Sequence, residues 1–223
     1  NYKKLLDHEN KIINNKNIQK FICKINKNLK IIGITSSGKV IQINWKSAIN
    51  NDNKLDNKVL GNLNPKEIIN FHNLNSDVRN YLCILNSEGR FKKVLFDDDM
   101  LRSTRVFSVS KLKNSIKIVD SFIYNTEEKL IILTSIGRIF KFDLSNKNLT
   151  PNTKQSQGLL LVNLLPKEKI VSCCQSKDRG TVYLISKKAK FFKLEIDEIF
   201  NANQSKLGYL NEKIQLKNDN FIK

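Results

Sequence analysis

The chain has 223 residues, of which 40% are hydrophobic and 27% charged, so it is long enough to bury a core and too apolar to be disordered throughout. Its 39 Lys and Arg against 21 Asp and Glu give a formal net charge of +18. Such a surplus predicts an anionic partner, nucleic acid first and an acidic membrane surface second. An A/T-rich genome would also enrich Lys, but it would enrich Glu equally, and acidic residues are scarce.

The cysteines and histidines form no metal-binding motif. The four cysteines contain no Cys-x-x-Cys pair, and there are only two histidines, which excludes the usual zinc spacings. Cys83 and Cys173 lie in strand-like apolar runs, as expected for reduced thiols in an intracellular protein. No apolar run reaches the ~18 residues of a membrane span, and no signal peptide is visible, so we expect no membrane partner. The first residue is Asn1 and the single methionine is Met100, from which we expect a piece of a longer protein.

A repeat of about fifty residues dominates the sequence. Four segments align without gaps, and each has a β-branched or aromatic run, a polar turn and a second run of the same kind. This pattern predicts four β-hairpins. In chain order they cover residues 31–43, 82–94, 130–142 and 182–194.

The successive turn positions of these hairpins are Gly38, Gly89, Gly137 and Ala189. Glycine supplies the positive φ that a tight hairpin or its bulge needs. Ala189 therefore predicts a strained, longer or differently shaped fourth turn. The incoming runs are apolar on both faces, as is typical of strands that are covered on both sides.

A second similarity recurs between the hairpins. The sequence Pro-Lys-Glu at 65–67 is repeated at 166–168, and residues 111–118 form a weaker counterpart. For each repeat unit we therefore predict a hairpin, a polar loop and another strand pair that leads into the next hairpin. Four strands per unit predict an all-β fold, a β-propeller-like pinwheel of about four four-stranded blades with an open or spiral ring.

The two ends of the chain lie outside this pattern. The apolar residues of the lead-in have helical spacing, yet Phe21, Cys23 and Ile25 alternate as in a strand, so both structures stay open. We expect the polar tail to fray or to close onto the first blade. The predicted boundaries are a lead-in or linker at 1–28, the β-pinwheel domain at 29–216 and a polar tail at 217–223.

Basic residues recur at fixed positions of the repeat. The residue after each turn is basic in all four hairpins, and the fourth residue after the turn glycine position is basic in three. Equivalent positions in a ring of blades lie on one rim, so they predict a basic band that neutralises the phosphates of a bent duplex. The alternative is ordinary solvated charge at hairpin ends and sheet edges. With basic residues of the connecting loops added, the predicted DNA-binding residues are Lys39, Arg90, Lys92, Lys93, Arg102, Arg105, Arg138, Lys141, Lys154, Lys190 and Lys193.

No catalytic site, metal or cofactor is predicted. The carboxylates at 97–99 follow a strand, and we expect a solvated turn there rather than a cation site. His8 falls in the lead-in and His72 in a predicted loop, neither beside an evident nucleophile. No glycine-rich phosphate-binding motif is present.

Three segments resemble a known family. Residues 154–164 followed by 169–172, the hairpin at 134–141, and residues 182–198 are similar, in order and period, to the C-terminal domain of type IIA topoisomerase A subunits, the DNA gyrase A and topoisomerase IV A family. The likeness covers about residues 29–216. The glycine-rich basic segment typical of gyrase is absent.

The resemblance implies a non-catalytic β-pinwheel that bends and wraps double-stranded DNA. It implies as partners the remainder of the topoisomerase A subunit and, through it, an ATPase B subunit, in the bacterial cytoplasm at the nucleoid or in an organellar nucleoid. The alternative function is a β-propeller module that binds proteins and not DNA. By motif, the resemblance implies DNA contacts at Lys39, Arg90, Lys93, Arg138, Lys141, Lys190 and Lys193.

Overall fold

The protein is represented by a computed structural model. The structure describes residues 30–43, 57–61, 63–74, 79–97, 100, 105–113, 115–145, 149–177, 179–199, 201–202, 209–210, 213–214, 216 and 219–221. The predicted lead-in at 1–28, with His8, and the predicted DNA contact Arg102 lie outside the described residues, as do two of the carboxylates at 97–99.

The described chain is built from antiparallel β-strands joined by loops and short 3-10 helices. The 3-10 helices span Asn57–Leu60, Pro65–Glu67 and Ile196–Glu198. In chain order the strands are β1 (Lys30–Thr35), β2 (Lys39–Ile43), β3 (Ile68–Leu74), β4 (Asn80–Asn86), β5 (Arg90–Phe96), β6 (Phe107–Ser108), β7 (Ile118–Ile123), β8 (Lys129–Thr134), β9 (Arg138–Asp143), β10 (Leu159–Leu160), β11 (Ile170–Ser176), β12 (Thr181–Ile185), β13 (Phe191–Glu195) and β14 (Tyr209–Leu210).

The strands form four sheets, one around each predicted hairpin, which we call blades one to four. The strand order is β3-β1-β2-β6 in blade one, β7-β4-β5-β10 in blade two and β11-β8-β9-β14 in blade three. Blade four has the hairpin β12-β13 in the described residues. Strand β7 contacts both β3 and β11, so the third strands of successive blades lie side by side at the inner edge of the arc. The predicted all-β pinwheel of about four blades is confirmed.

The strand pair between successive hairpins differs from the prediction. Its first member does not pair with its second: β6 bonds to β2 of the preceding blade, while β7 bonds to β4 of its own blade. Strands β10 and β14 repeat the placement of β6. Each complete blade therefore takes its outermost strand from the chain that follows the next hairpin, which links consecutive blades together.

The turns owe their shared shape to one side-chain oxygen. The Thr, Asn or Ser at the first position of each turn accepts a hydrogen bond from the amide of the basic residue four positions later, at 2.9–3.1 Å in all four turns. The turn glycines have φ between +76° and +89°, and Ala189 adopts φ +58°. Of the predicted alternatives, a strained, longer or differently shaped fourth turn, the structure shows a turn of the same length with Ala189 in the left-handed region that a Cβ disfavours.

Apolar side chains fill the space between successive blades, and a further cluster covers the outer face of blade one. Ile34, Leu85 and Leu133 occupy the same position of the first three hairpins and are at most 9% exposed. Their counterpart in blade four, Ile185, is 62% exposed, as is Phe191. Coverage of the incoming strand on both faces is therefore confirmed for blades one to three and wrong for blade four.

The described part of the tail packs on the last two blades. Phe221 is buried against the ring of Phe192, and its amide donates to the Ser135 carbonyl at 3.1 Å. The Asn220 carbonyl accepts from the Lys187 amide at 2.8 Å. At these residues the tail neither frays nor closes onto the first blade, because its aromatic side chain fills a gap beside the third turn.

Candidate nucleic-acid interface

The four turns lie at one end of the molecule because the connecting segments bond to two successive turns. In the segment 109–118, the Ile118 amide donates to the Ser36 carbonyl of the first turn at 2.8 Å, and the Lys117 carbonyl accepts from the Ser87 amide of the second turn at 2.8 Å. Corresponding bonds join the second turn to the third through Leu161–Gly89 and Ser135–Lys169, and the third to the fourth through Phe221–Ser135 and Lys187–Asn220.

We call the four turns and the connecting residues 109–113, 115–118, 161–169 and 219–221 the turn-side rim. Among the described residues, its exposed lysines outnumber its exposed acids, of which Glu88 is the one example. Among the described residues, none of the exposed lysines of the rim forms an ion pair. These lysines are Lys39, Lys111, Lys113, Lys117, Lys167, Lys169, Lys187, Lys188 and Lys190.

The predicted contacts directly after the turns fall into two groups. Lys39 and Lys190 are exposed on the rim. Arg90 is half-buried: its guanidinium donates to the Gly158 carbonyl at 3.2 Å and lies 4.0 Å from the Glu88 carboxylate. Only the exposed members of this register present a charge directly to solvent.

Arg138, the fourth member of that register, lies inside the protein. It is 5% exposed, and its guanidinium forms a bidentate ion pair with the Glu168 carboxylate, with Nε–Oε1 at 2.9 Å. A further bond to the Asn163 carbonyl measures 2.7 Å. Burial alone would raise the pKa of Glu168, but hydrogen bonds from Arg138, Thr134 and a backbone amide outweigh it and hold that pKa below its usual range. The side chain is committed to a structural pair.

Lys92 and Lys93 are also buried, at 2% and 7% exposure. The Lys92 ammonium donates to the Lys154 carbonyl at 2.8 Å, and burial lowers the pKa of Lys92 to about 8. The Lys93 ammonium lies 3.4 Å from the centroid of the Tyr124 ring and 4.6 Å from that of Tyr81, a cation–π arrangement. Burial lowers the pKa of Lys93 as well. The Lys93 contacts lie within blade two, and the Lys92 contact joins β5 to the loop that leads into β10, the outer strand of the same blade.

The remaining predicted contacts lie away from the turns. Lys141 is half-buried and donates to the Ile196 carbonyl at 2.8 Å, and Lys193 is exposed but lies 3.0 Å from the Glu195 carboxylate. Lys154 and Arg105 are exposed in connecting loops. The structure thus does not gather the ten predicted residues that it describes into one band.

Most of the rim lysines are not among the DNA-binding residues predicted from the sequence. The lysines of the connecting segments, such as Lys113, Lys117 and Lys169, were visible only as part of the second similarity between repeats. Their placement depends on how each segment bridges two turns, which a single sequence does not reveal. The available signal was the lysine directly before two of the third strands, Lys117 before β7 and Lys169 before β11, whereas Glu67 precedes β3.

His72 lies in strand β3 and not in a loop as predicted. Its Nε2 is 2.8 Å from the Ser121 Oγ, and burial lowers the pKa of His72 to about 4 against the opposing effect of Asp120. Ser121 is 5% exposed. Within the part of the chain that the structure describes, no group of three His, Cys, Asp or Glu residues is arranged to hold a metal ion.

The described residues contain no helix with the length and apolar character needed to cross a membrane. No protein-family profile matches the chain, and no curated protein sequence matches it.

Solved structures do match the chain. The C-terminal domain of DNA topoisomerase IV is similar to it with a TM-score of 0.67 and 18% identity over 86% of the chain. The DNA gyrase A C-terminal domain has a TM-score of 0.65 and 20% identity over 83%, and the E. coli ParC C-terminal domain a TM-score of 0.65 and 15% identity over 86%. The chain spans 64%, 60% and 80% of those three chains respectively. The chain therefore has the β-pinwheel fold of the C-terminal domains of topoisomerase IV and gyrase A.

Proposed function

We propose that the turn-side rim binds the backbone of double-stranded DNA and bends the duplex around the arc of blades. The observation that carries this proposal is the set of exposed lysines, without ion pairs among the described residues, that recurs at one end of successive blades. Lysine neutralises phosphates and releases condensed counterions without reading the base sequence. We therefore expect sequence-indifferent binding with a steep salt dependence.

Because the blades are arranged in an arc, the rim lysines of successive blades lie along a curve. Phosphates neutralised at successive blades offset part of the elastic cost of bending DNA, which is about 1–6 kcal/mol for a 20–30 bp site. The hydroxyls and amides of the turns add uncharged phosphate ligands of the kind common in protein–DNA interfaces.

The fold supports a wider setting for this activity. We propose that the chain is a non-catalytic accessory domain of the A subunit of a type IIA topoisomerase, whose remainder carries the DNA cleavage and whose ATPase B subunit supplies the energy. This setting places the protein at a nucleoid, in the bacterial cytoplasm or in an organelle. The resemblance of three sequence segments to that family and the shared pinwheel fold support it.

Two lysines at opposite ends of one strand test the location of the interface. Lys169 precedes β11 at the turn side, and Lys177 follows β11 at the other end; both are exposed. With fluorescence anisotropy on a 40-bp duplex at several salt concentrations, we expect K169Q to weaken binding and to reduce the slope of log K against log salt by roughly 0.9. The matched variant K177Q should leave the slope unchanged.

Bending is tested on a nicked plasmid ligated in the presence of the protein. A linking-number change of one sign after deproteinisation supports bending with a handed path, whereas binding without any change supports simple tethering. Equal effects of K169Q and K177Q would contradict the proposed interface. Absence of binding at moderate salt would contradict DNA binding itself and would favour the protein-interaction alternative.

A further inference from the structure

The inner edge of the arc carries a set of polar bonds that join three blades. Asp120 lies on β7 of blade two, between β3 of blade one and β11 of blade three. Its Oδ1 accepts from the Asn70 amide group at 2.8 Å, and its Oδ2 accepts from the Cys173 backbone amide at 3.3 Å. One carboxylate therefore bonds to both neighbouring blades.

The residue after Asp120 strengthens the bond to blade one. The Asn70 amide group also donates to the carbonyl and the Oγ of Ser121, at 3.0 and 3.1 Å, and His72 Nε2 lies 2.8 Å from the same Oγ. The Ser121 amide in turn donates to Asp120 Oδ1 at 2.9 Å, which holds the carboxylate in this orientation.

These side-chain bonds lie at the inner edge, apart from the backbone bonds that join successive blades at the turns and outer strands. The spaces between blades are filled by apolar side chains, whose attraction is proportional to buried area and has no preferred direction. Hydrogen bonds weaken steeply when their angle departs from linearity. A rotation of one blade against the next must therefore distort the directional bonds at the inner edge as well as the backbone bonds at the turns and outer strands.

The sequence repeat explains why a carboxylate suits this position. Asn70, Asp120 and Ser172 occupy the same place, two residues after the Ile that begins each third strand. Blade two is the middle blade of the three, and an ionised carboxylate offers two acceptor oxygens and no donor. It can accept from both sides at once, which neither an amide nor a hydroxyl of similar size does as well.

We propose that Asp120 is a positioning residue that sets the angle between blades one, two and three, and through that angle the path of DNA along the turn-side rim. Asp120 lies at the inner edge and the rim lysines at the turn ends, so it acts on the curvature of the rim and not on its charge. The consequence for DNA rests on the proposed function; the effect on the blade angle does not.

The angle is measured first without DNA. Spin labels at K39C in blade one and K169C in blade three report the distance between them by double electron–electron resonance, in a chain with Cys23, Cys173 and Cys174 replaced by serine. Asp120→Asn should shift or broaden the distance distribution, because its NH₂ group faces the Cys173 amide donor or else the Asn70 donor. Asp120→Ala removes both bonds and should broaden it more. Ser172→Ala is the matched control at the same repeat position and should leave it unchanged.

The consequence for DNA is measured with unlabelled protein. Asp120→Asn should bind duplex DNA within about twofold of the wild type, since it removes no rim lysine, yet lose roughly half or more of the trapped linking-number change. An unchanged distance distribution in both Asp120 variants, with native unfolding midpoints, would overturn the proposal. If the wild-type chain does not bind DNA or change the linking number, the proposed function fails, and a broadened distribution still supports the role of Asp120 in the blade angle.

Discussion

Arg138 provides the sharpest test of how the basic residues divide between structure and binding. Its guanidinium is 5% exposed and bonds to Glu168 and to a backbone carbonyl. Replacing it by methionine leaves the Glu168 carboxylate buried without its counter-ion, a change that costs about 3–5 kcal/mol. For a domain whose total stability is about 5–15 kcal/mol, R138M should bring the protein close to unfolding at ordinary temperature.

The assay is urea unfolding followed by far-UV circular dichroism, analysed by linear extrapolation. We expect R138M to lower the midpoint strongly, and the double variant R138M/E168L to regain most of the loss, because a buried ion pair is often replaceable by apolar residues of similar volume. The pKa of Glu168 lies below its usual range in the folded protein. The contribution of this carboxylate is therefore present above its unfolded pKa and is lost as the pH falls through the folded one.

The same variants separate structure from DNA binding. The double variant R138M/E168L, once folded, should keep nearly wild-type affinity and salt dependence, since neither side chain is exposed to a phosphate. K169Q should show the opposite behaviour, with an unchanged unfolding midpoint and weaker binding. A wild-type midpoint for R138M, or a loss of affinity in the folded double variant as large as that of K169Q, would refute the structural role of Arg138.

Five further substitutions test individual features of the fold. G89A should destabilise the protein by more than about 1 kcal/mol, because Gly89 has φ +76° and an added Cβ would clash with the Val162 carbonyl oxygen. A189G should instead raise the free energy of unfolding by up to about 1 kcal/mol, since Ala189 has φ +58°; a lower urea midpoint would contradict strain there. I34A should cost about 2–5 kcal/mol and I185A less than about 0.5 kcal/mol, because their exposed fractions are 0% and 62%; equal costs would contradict the open face of blade four. The pKa of Lys92 is about 8 in the folded protein and about 10.4 in the unfolded chain. Between about pH 8 and about pH 10.4 the unfolded chain therefore binds more protons than the folded protein, and the free energy of unfolding of the wild type should rise with pH. K92M should remove that rise.

The local turn chemistry was readable without any structure. A hairpin turn places strict demands on four consecutive residues, and the side-chain oxygen at its first position and the positive φ at its fourth are satisfied within the same short segment. Because these contacts join residues that are close in the sequence, the residue types predicted each turn and the unfavourable backbone of Ala189. The recurrence of the same residue types showed the repeat of about fifty residues.

The pairing of the outer strands was decided only by the tertiary structure. Strands β6, β10 and β14 have two residues each in the structure, too few to show a period. Each bonds to a hairpin that precedes it by one repeat. A pairing between segments so far apart in the chain depends on the packing of whole blades, and no local signal reports it.

The burial of the basic residues was decided in the same way. Lys39, Arg90, Arg138 and Lys190 are equivalent in sequence, yet their surroundings range from solvent to a sealed ion pair. The difference arises from the connecting segment that packs on each turn. The segment before β11 places the Glu168 carboxylate against Arg138, whereas Lys39 and Lys190 remain exposed. The sequence by itself determined how often a positive charge recurs, through the repeat. The tertiary structure decided which of those charges reach solvent, because burial depends on neighbours that lie tens of residues away along the chain.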